Sequence, residues 1–127
     1  MFIVLPAACS TPAELEGTWC GYEIGGPYRD WTLTIKRNQF ALVCENAHMW
    51  YKGILKLNNN CNRKKMDLII SETPIDNYNG KTSYGIYEIK EGSLLLVTAE
   101  PGNSHRPFSF DKREDVIAYV FERNGVK

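Results

Sequence analysis

The chain has no excess of charge of either sign. Its lysines and arginines number 15 and its aspartates and glutamates number 15, so the formal net charge is +0. Nucleic-acid-binding domains usually carry a basic patch, and we therefore expect no nucleic-acid partner. The apolar runs fall short of the roughly 20 residues that a membrane-spanning helix needs. With 127 residues, one domain around one hydrophobic core is expected.

The chain is also poor in the residues that hold metals or carry out catalysis. It has only two histidines, and its four cysteines form no CxxC pair. Structural zinc sites need about four ligands at regular spacing, so we predict no metal and no cofactor. The sequence contains no G-x-S-x-G, no G-x-G-x-x-G and no P-loop. These absences favour a protein that is not an enzyme.

The four cysteines are Cys9, Cys20, Cys44 and Cys61. Disulfides between them are conceivable, but their connectivity cannot be read from a sequence. Free cysteines behave as small apolar residues and are often buried. We therefore expect Cys20 and Cys44 to be buried thiols.

The first ten residues, "MFIVLPAACS", support two interpretations. An apolar run that ends in small residues before Cys9 resembles the end of a bacterial lipoprotein signal, with Cys9 as the lipid-carrying residue. However, there is no positive n-region, and Pro6 interrupts the usual pattern. In the alternative, Phe2 to Leu5 pack on the domain as an N-terminal arm. We treat residues 1–10 as a signal remnant or arm, and residues 11–127 as the domain.

Period-two alternation runs through the rest of the chain, and no long helical stripe appears. Trp31, Leu33 and Ile35, for example, alternate with polar residues. Eight such segments follow at a spacing of roughly 8–12 residues, as in sandwiches and barrels. We predict an all-β fold in which eight antiparallel strands form a meander that closes into a barrel. The only helical segment is "STPAELEG", which allows at most one short N-terminal helix.

Several motifs resemble those of a known family. "LEGTW" is similar to the Gly-x-Trp signature of the lipocalins and the wider calycin group. "KKMDLII", "GIYEIKEGSLLL", "EPGNSHRPFSF" and "VFERN" follow in the order seen in one set of uncharacterised, short lipocalin-like domains. That set is abundant in planctomycete bacteria and usually carries export signals. The match spans about Leu15 to Asn124, and it implies a lipocalin-like barrel without implying an activity.

The resemblance also implies how one end of the barrel closes. In calycins the tryptophan of the first strand packs across the barrel floor against a basic residue of the last strand. In this chain the two positions are Trp19 and Arg123. An indole face beneath a guanidinium gains a cation–π contact of about 0.5–2 kcal/mol. This pair is expected to be structural.

The loop "AEPGNSHRPFSF" is the closest approach to a catalytic motif. His105 could act as a general base and Arg106 could hold an anion. A structural role is favoured, because Pro101–Gly102 makes a turn and Arg106 has loop carbonyls or a carboxylate to bind. The carboxylates of the "DKREDV" and "TPIDNYNG" segments lie in polar loops, and no pair stands out. We assign no catalytic residue.

Ligand binding inside the barrel is the leading functional prediction, because an eight-stranded barrel is wide enough to hold one small ligand. The ligand would be mostly apolar. The expected lining residues are Tyr22, Tyr28, Trp31, Tyr51, Tyr84 and Arg106. The alternative is a filled barrel that acts as a protein-interaction or accessory module of the cell envelope. The expected location is the bacterial envelope, with a membrane tether through Cys9, or the cytoplasm if residues 1–9 are not a signal remnant.

Overall fold

The computed structural model describes residues 13–26, 29–44, 48–58, 64–111 and 115–123. These residues form eight strands. In chain order the strands are β1 (Gly17–Glu23), β2 (Trp31–Lys36), β3 (Gln39–Cys44), β4 (Met49–Asn58), β5 (Lys64–Glu72), β6 (Thr82–Lys90), β7 (Ser93–Ala99) and β8 (Val116–Arg123). The predicted N-terminal helix is a single 3₁₀ turn, Ala13–Leu15, and a second 3₁₀ turn spans Asp76–Tyr78.

The strands form a closed barrel in which each strand pairs with its neighbour in the chain and β1 pairs with β8. All pairs are antiparallel, which confirms the predicted meander. Two inward-facing glycines mark positions of close approach between strands. A Cβ atom at Gly21 would lie 1.8 Å from the Val120 carbonyl oxygen, and one at Gly53 would lie 1.8 Å from that of Ile69. Because no side chain fits there, the sheet can bend sharply enough to close.

Apolar and polar residues alternate along the strands, and the structure places the apolar side chains inside the barrel and the polar ones outside it. On β2, Trp31, Leu33 and Ile35 are buried, whereas Thr34 and Lys36 are exposed. Successive side chains of a strand point to opposite faces, so the apolar set fills the interior. This inner core takes residues from all eight strands, including Trp19, Phe40, Leu55, Met66, Tyr87, Leu96 and Phe121.

The two ends of the barrel differ in their connections. The end where β1 begins and β8 ends is here called the floor, and the β2–β3 and β6–β7 connections at this end are two-residue hairpin turns. Arg37, Glu91 and Gly92 adopt positive φ angles of 58°, 53° and 83° in these turns, as tight hairpins require. The opposite end, here called the mouth, carries the long connections. They include residues 73–81, here called the mouth loop, and residues 100–115.

A smaller apolar cluster lies outside the wall formed by β6, β7 and β8. Ile86, Val97, Val116 and Ala118 are buried there, and Phe110, which follows β7 in the chain, packs against them. The covering segment explains why the sequence of β7 is apolar on both faces. It also places residues 106–111 against the outer wall of the barrel.

Candidate ligand-binding site at the barrel mouth

The floor is closed by Trp19 and Arg123, which are paired in the β1–β8 register. The Arg123 guanidinium carbon lies 4.1 Å from the ring centroid of Trp19. Arg123 also donates hydrogen bonds to the carbonyl oxygens of Glu14 and Glu16. The Trp19 indole donates to the carbonyl oxygen of Leu15 at 3.0 Å. The N-terminal turn is thus bound across this end of the barrel.

Tyr87 lies inside the barrel above the floor and is 1% exposed. The Lys64 ammonium lies 5.9 Å from the centroid of its ring and 3.9 Å from the Glu14 carboxylate. Burial, together with the negative charge of Glu14, raises the pKa of Tyr87 to about 12. The phenol therefore stays neutral in the folded protein well above its usual titration range.

The mouth contains a row of aromatic rings. Trp31 stacks on Tyr51 with centroids 6.3 Å apart, and its edge meets Tyr119 at 5.7 Å. Tyr119 in turn stacks on Phe121 at 5.6 Å. Tyr78, from the mouth loop, approaches Tyr51 at 6.5 Å. The row runs from the mouth loop into the core, with spacings typical of favourable aromatic pairs.

A small cavity of about 30 Å³ lies beside these rings. It is lined by Phe40, Leu42, Tyr51, Leu68, Ile70, Ser83, Thr98, Pro101, Ile117 and Tyr119. A cavity of about this size holds a water molecule, whereas pockets for drug-sized ligands measure roughly 300–1,000 Å³. Among the residues that the structure describes, inward side chains therefore fill the space around this cavity, which is too small for a drug-sized ligand.

The mouth loop lies beside this cavity and is held by a small set of hydrogen bonds. The Tyr78 hydroxyl donates to the Glu100 carboxylate at 2.8 Å, in an exposed contact. The Thr73 amide donates to the Asn79 side-chain oxygen at 3.0 Å, and the Gly80 amide donates to a β5 carbonyl at 2.9 Å. Burial and the neighbouring Glu100 raise the pKa of Tyr78 to about 12. The Tyr78 ring thus packs on Tyr51, a residue of the cavity lining, without being part of a strand.

Tyr119 is the buried tyrosine among the residues that line the cavity. Burial raises the pKa of Tyr119 far above its usual value, and Tyr51 and the Glu23 carboxylate add to the shift. Glu23 stands opposite Tyr119 in the β1–β8 register, so both side chains start from the inner face of the wall. Few other polar groups are present. The Ser83 hydroxyl donates to the carbonyl oxygen of Ala99 at 2.6 Å.

Of the predicted lining residues, Trp31 and Tyr51 lie in the mouth, whereas three others lie on the outside of the wall. Tyr22 is 39% exposed, with the Arg29 guanidinium 4.8 Å from its ring centroid. Tyr84 and Arg106 meet on the outer face of β6, with the guanidinium 5.2 Å from the ring centroid. Strand parity explains the difference, because Tyr22 and Tyr84 alternate with the inward-facing positions of β1 and β6.

Arg106 binds the outer wall. It forms a two-point ion pair with Asp67, at 2.5 and 3.2 Å, and donates to the carbonyl oxygen of Gly85 at 2.9 Å. These contacts hold the 106–111 segment over the outer apolar cluster. His105 is exposed, and its backbone amide and its ring both contact the side-chain oxygen of Asn103. The geometry is that of a turn, and neither residue faces the cavity.

The cysteines divide between the two faces of the wall. Cys44 is buried at the mouth end of β3, as expected. Cys20 is exposed on the outer face of β1, so the expectation of a buried thiol is wrong for this residue. Within the described ranges, no group of three or more histidines, cysteines, aspartates and glutamates is arranged to hold a metal ion. The predictions for Cys9, Tyr28 and Cys61 fall on residues outside those ranges.

The sequence interpretation missed four residues of the mouth: Glu23, Tyr78, Glu100 and Tyr119. Tyr119 was recognisable, because it alternates inward with Ile117 and Phe121 along "VIAYVFER". Tyr78 carried no such signal, since its position depends on the course of a loop. Glu23 and Glu100 lie at strand ends, where periodicity gives no direction.

Two further findings bear on identity. In the part of the chain that the structure describes, no helix is long and apolar enough to cross a membrane. When the chain is compared with known proteins, no family model, no curated protein and no solved structure matches it.

Proposed function

We propose that this protein binds a small, mostly apolar molecule at the mouth of the barrel and catalyses no reaction on it. The observation that carries the proposal is the way the mouth is closed. The Tyr78 ring, which forms one exposed hydrogen bond to Glu100, packs on Tyr51, and Tyr51 lines a cavity that is largely apolar and aromatic. A ligand enters by displacing this ring and buries its own apolar surface in the same place.

The filled interior limits the size of the ligand. Because the cavity measures about 30 Å³, the bound molecule takes the volume that the Tyr78 ring gives up. The ligand is therefore about the size of one aromatic ring, with hydroxyl groups such as that of Tyr51 to orient it. Its affinity comes from apolar burial, at roughly 25 cal/mol per Å². The resemblance of "LEGTW" to the lipocalin signature supports the barrel fold on which this function depends.

The test is a calorimetric titration of the full chain with benzyl alcohol, a neutral probe with one ring. We expect saturable binding, and binding that is several-fold tighter in Tyr78→Ala, because that variant has no ring to displace. Tyr22→Ala, on the outer wall, is the matched control and should bind as the original chain does. If neither the original chain nor Tyr78→Ala gives a saturable signal, the proposal is wrong.

The filled interior also favours a second candidate, in which the barrel serves as an interaction or accessory module. Its best surface is the outer face of β4, where Ile54 is 45% exposed and the Lys52 ammonium lies 5.3 Å from the ring centroid of Trp50. We rank it second because the exposed large apolar side chains of the described residues lie on separate elements. These side chains are Tyr22, Ile54 and Phe108, and they form no continuous patch of the kind that marks an interaction site.

A location in the bacterial envelope, with a lipid on Cys9, belongs to the same proposal. It rests on the apolar segment before Cys9 and on the resemblance to exported domains. Mass spectrometry of the protein isolated from its native membrane fraction tests it. A diacylglyceryl mass on Cys9 would support the tether, and an intact, unmodified Met1 would contradict it.

A further inference from the structure

The rings of the mouth offer more than apolar surface. Trp31, Tyr51, Tyr78 and Tyr119 follow one another at centroid distances of 5.7–6.5 Å. Each aromatic face carries partial negative charge, and several faces around one small space attract a cation more strongly when water is excluded. A neutral apolar ligand would use only the surface area of these rings.

Two carboxylates add negative charge at the same end of the barrel. Glu23 faces Tyr119 across the β1–β8 pair, and Glu100 accepts the hydrogen bond of Tyr78. Each of them contributes to raising the pKa of the tyrosine beside it. A field that opposes a phenolate also opposes any anionic ligand and favours a cation.

The cavity lining itself carries no charge, since all ten of its side chains are uncharged. Arg29 lies over Tyr22 on the outer wall, and Arg106 is paired with Asp67. Lys81, in the mouth loop, packs against Gly102. Glu23 and Glu100 together carry more negative charge than this one lysine offsets.

We propose that the mouth selects organic ammonium ions, that is, a protonated amine attached to an apolar group about the size of one ring. This inference rests on the proposed function, since it assigns a charge to the ligand of the same site. When the ligand displaces Tyr78, Glu100 loses the phenol that donated to it. The ammonium group of the ligand replaces that donor at the Tyr51 end of the row, where an aromatic face also attracts it. The other rings surround the apolar part.

Three probes with the same ring separate charge from shape: benzylammonium, benzyl alcohol and benzoate. Each is titrated into the full chain at pH 7 and at one ionic strength. We expect benzylammonium to bind about ten-fold more tightly than benzyl alcohol, and benzoate to bind most weakly. Equal binding of the three probes, or tighter binding of benzoate, would overturn the charge inference and leave the proposed function standing. Failure of all three probes to bind would overturn both.

Glu23→Gln and Glu100→Gln remove a charge and preserve the shape of the side chain. We expect each variant to lose several-fold in affinity for benzylammonium and to bind benzyl alcohol unchanged, which also shows that the mouth is still folded. Glu88→Gln, an exposed position on β6, is the matched control and should alter neither affinity. If Glu88→Gln lowers the affinity for benzylammonium as much as the mouth variants do, the effect comes from overall charge and the inference is wrong.

Discussion

The two ends of the barrel are closed in different ways. At the floor, Arg123 and the Trp19 indole bind backbone carbonyls of the N-terminal turn, and both side chains come from strands. At the mouth, the ring of Tyr78 comes from a loop and depends on one exposed hydrogen bond to Glu100. A hydrogen bond of this kind contributes only about 0.5–1.5 kcal/mol. We therefore expect the floor to stabilise the barrel and, in the proposed function, the mouth to admit the ligand.

The strongest test of this division is Trp19→Ala. Trp19 is 1% exposed, and removing a large aromatic side chain from a core costs about 3–5 kcal/mol. We expect a loss of that size in the free energy of unfolding, measured by urea denaturation. Trp50→Ala, on the outer wall, is the control and should cost much less. A loss below about 1 kcal/mol for Trp19→Ala would show that the floor does not stabilise the barrel.

Alkaline unfolding should also involve the floor. Tyr87 holds its proton to a pKa of about 12 in the folded state, whereas the unfolded chain releases it near pH 10. Its contribution is complete below pH 10 and is lost as the pH rises to about 12, a difference of roughly 2–3 kcal/mol. Urea denaturation at pH 9 and at pH 11.5 should show a smaller loss of stability in Tyr87→Phe than in the original chain. An identical loss in both proteins would argue against this assignment.

Arg123→Met should have an intermediate effect. It removes the cation–π contact with Trp19 and the hydrogen bonds to two carbonyl oxygens, for an expected cost of about 2 kcal/mol. Arg123→Lys should recover only part of this loss, because an ammonium group lacks the planar, forked donors of a guanidinium. Thermal and urea unfolding of the two variants provide the measurement. Full recovery by lysine would mean that charge alone matters at the floor.

The smallest change in stability is expected at the mouth. Tyr78→Phe removes the bond to Glu100 and should lower the free energy of unfolding by less than about 1 kcal/mol. Amide hydrogen exchange should nevertheless speed up at Thr73 and Gly80, whose amides hold the mouth loop. Exchange of the Trp19 indole proton should stay unchanged. If hydrogen exchange sped up equally at both ends, the barrel would open as a unit. That result would contradict the difference in stability between the floor and the mouth.

Much of the fold could be predicted from the sequence, because alternation is a local property. On β2, each inward position is apolar and each outward position is polar, so the direction of the side chains is evident. The alternation weakens on β6 and β7, where the 106–111 segment covers the outer face. Ile86 is buried outside the barrel and Tyr87 inside it, and composition alone does not separate them.

The mouth was harder to predict, since its residues belong to loops and strand ends. The direction of Arg106 depends on the path of a loop from β7 across the outer wall to Asp67, and no periodicity encodes that path. The free volume inside the barrel was equally hard to predict from the sequence. It is the small difference between the volume that the strands enclose and the volume of the side chains that fill it. Aromatic residues at inward positions are consistent with an open or a filled barrel.

The pairing of β1 with β8 has a consequence for how the chain folds. Every other strand pair joins neighbours in the sequence, whereas the contact between Arg123 and Glu16 joins residues 107 positions apart. Bringing such distant segments together carries the largest loop-closure entropy of the whole barrel. During synthesis, the tryptophan of the first strand meets its guanidinium only after the eighth strand has emerged. Until that moment the nascent sheet has two unprotected edges.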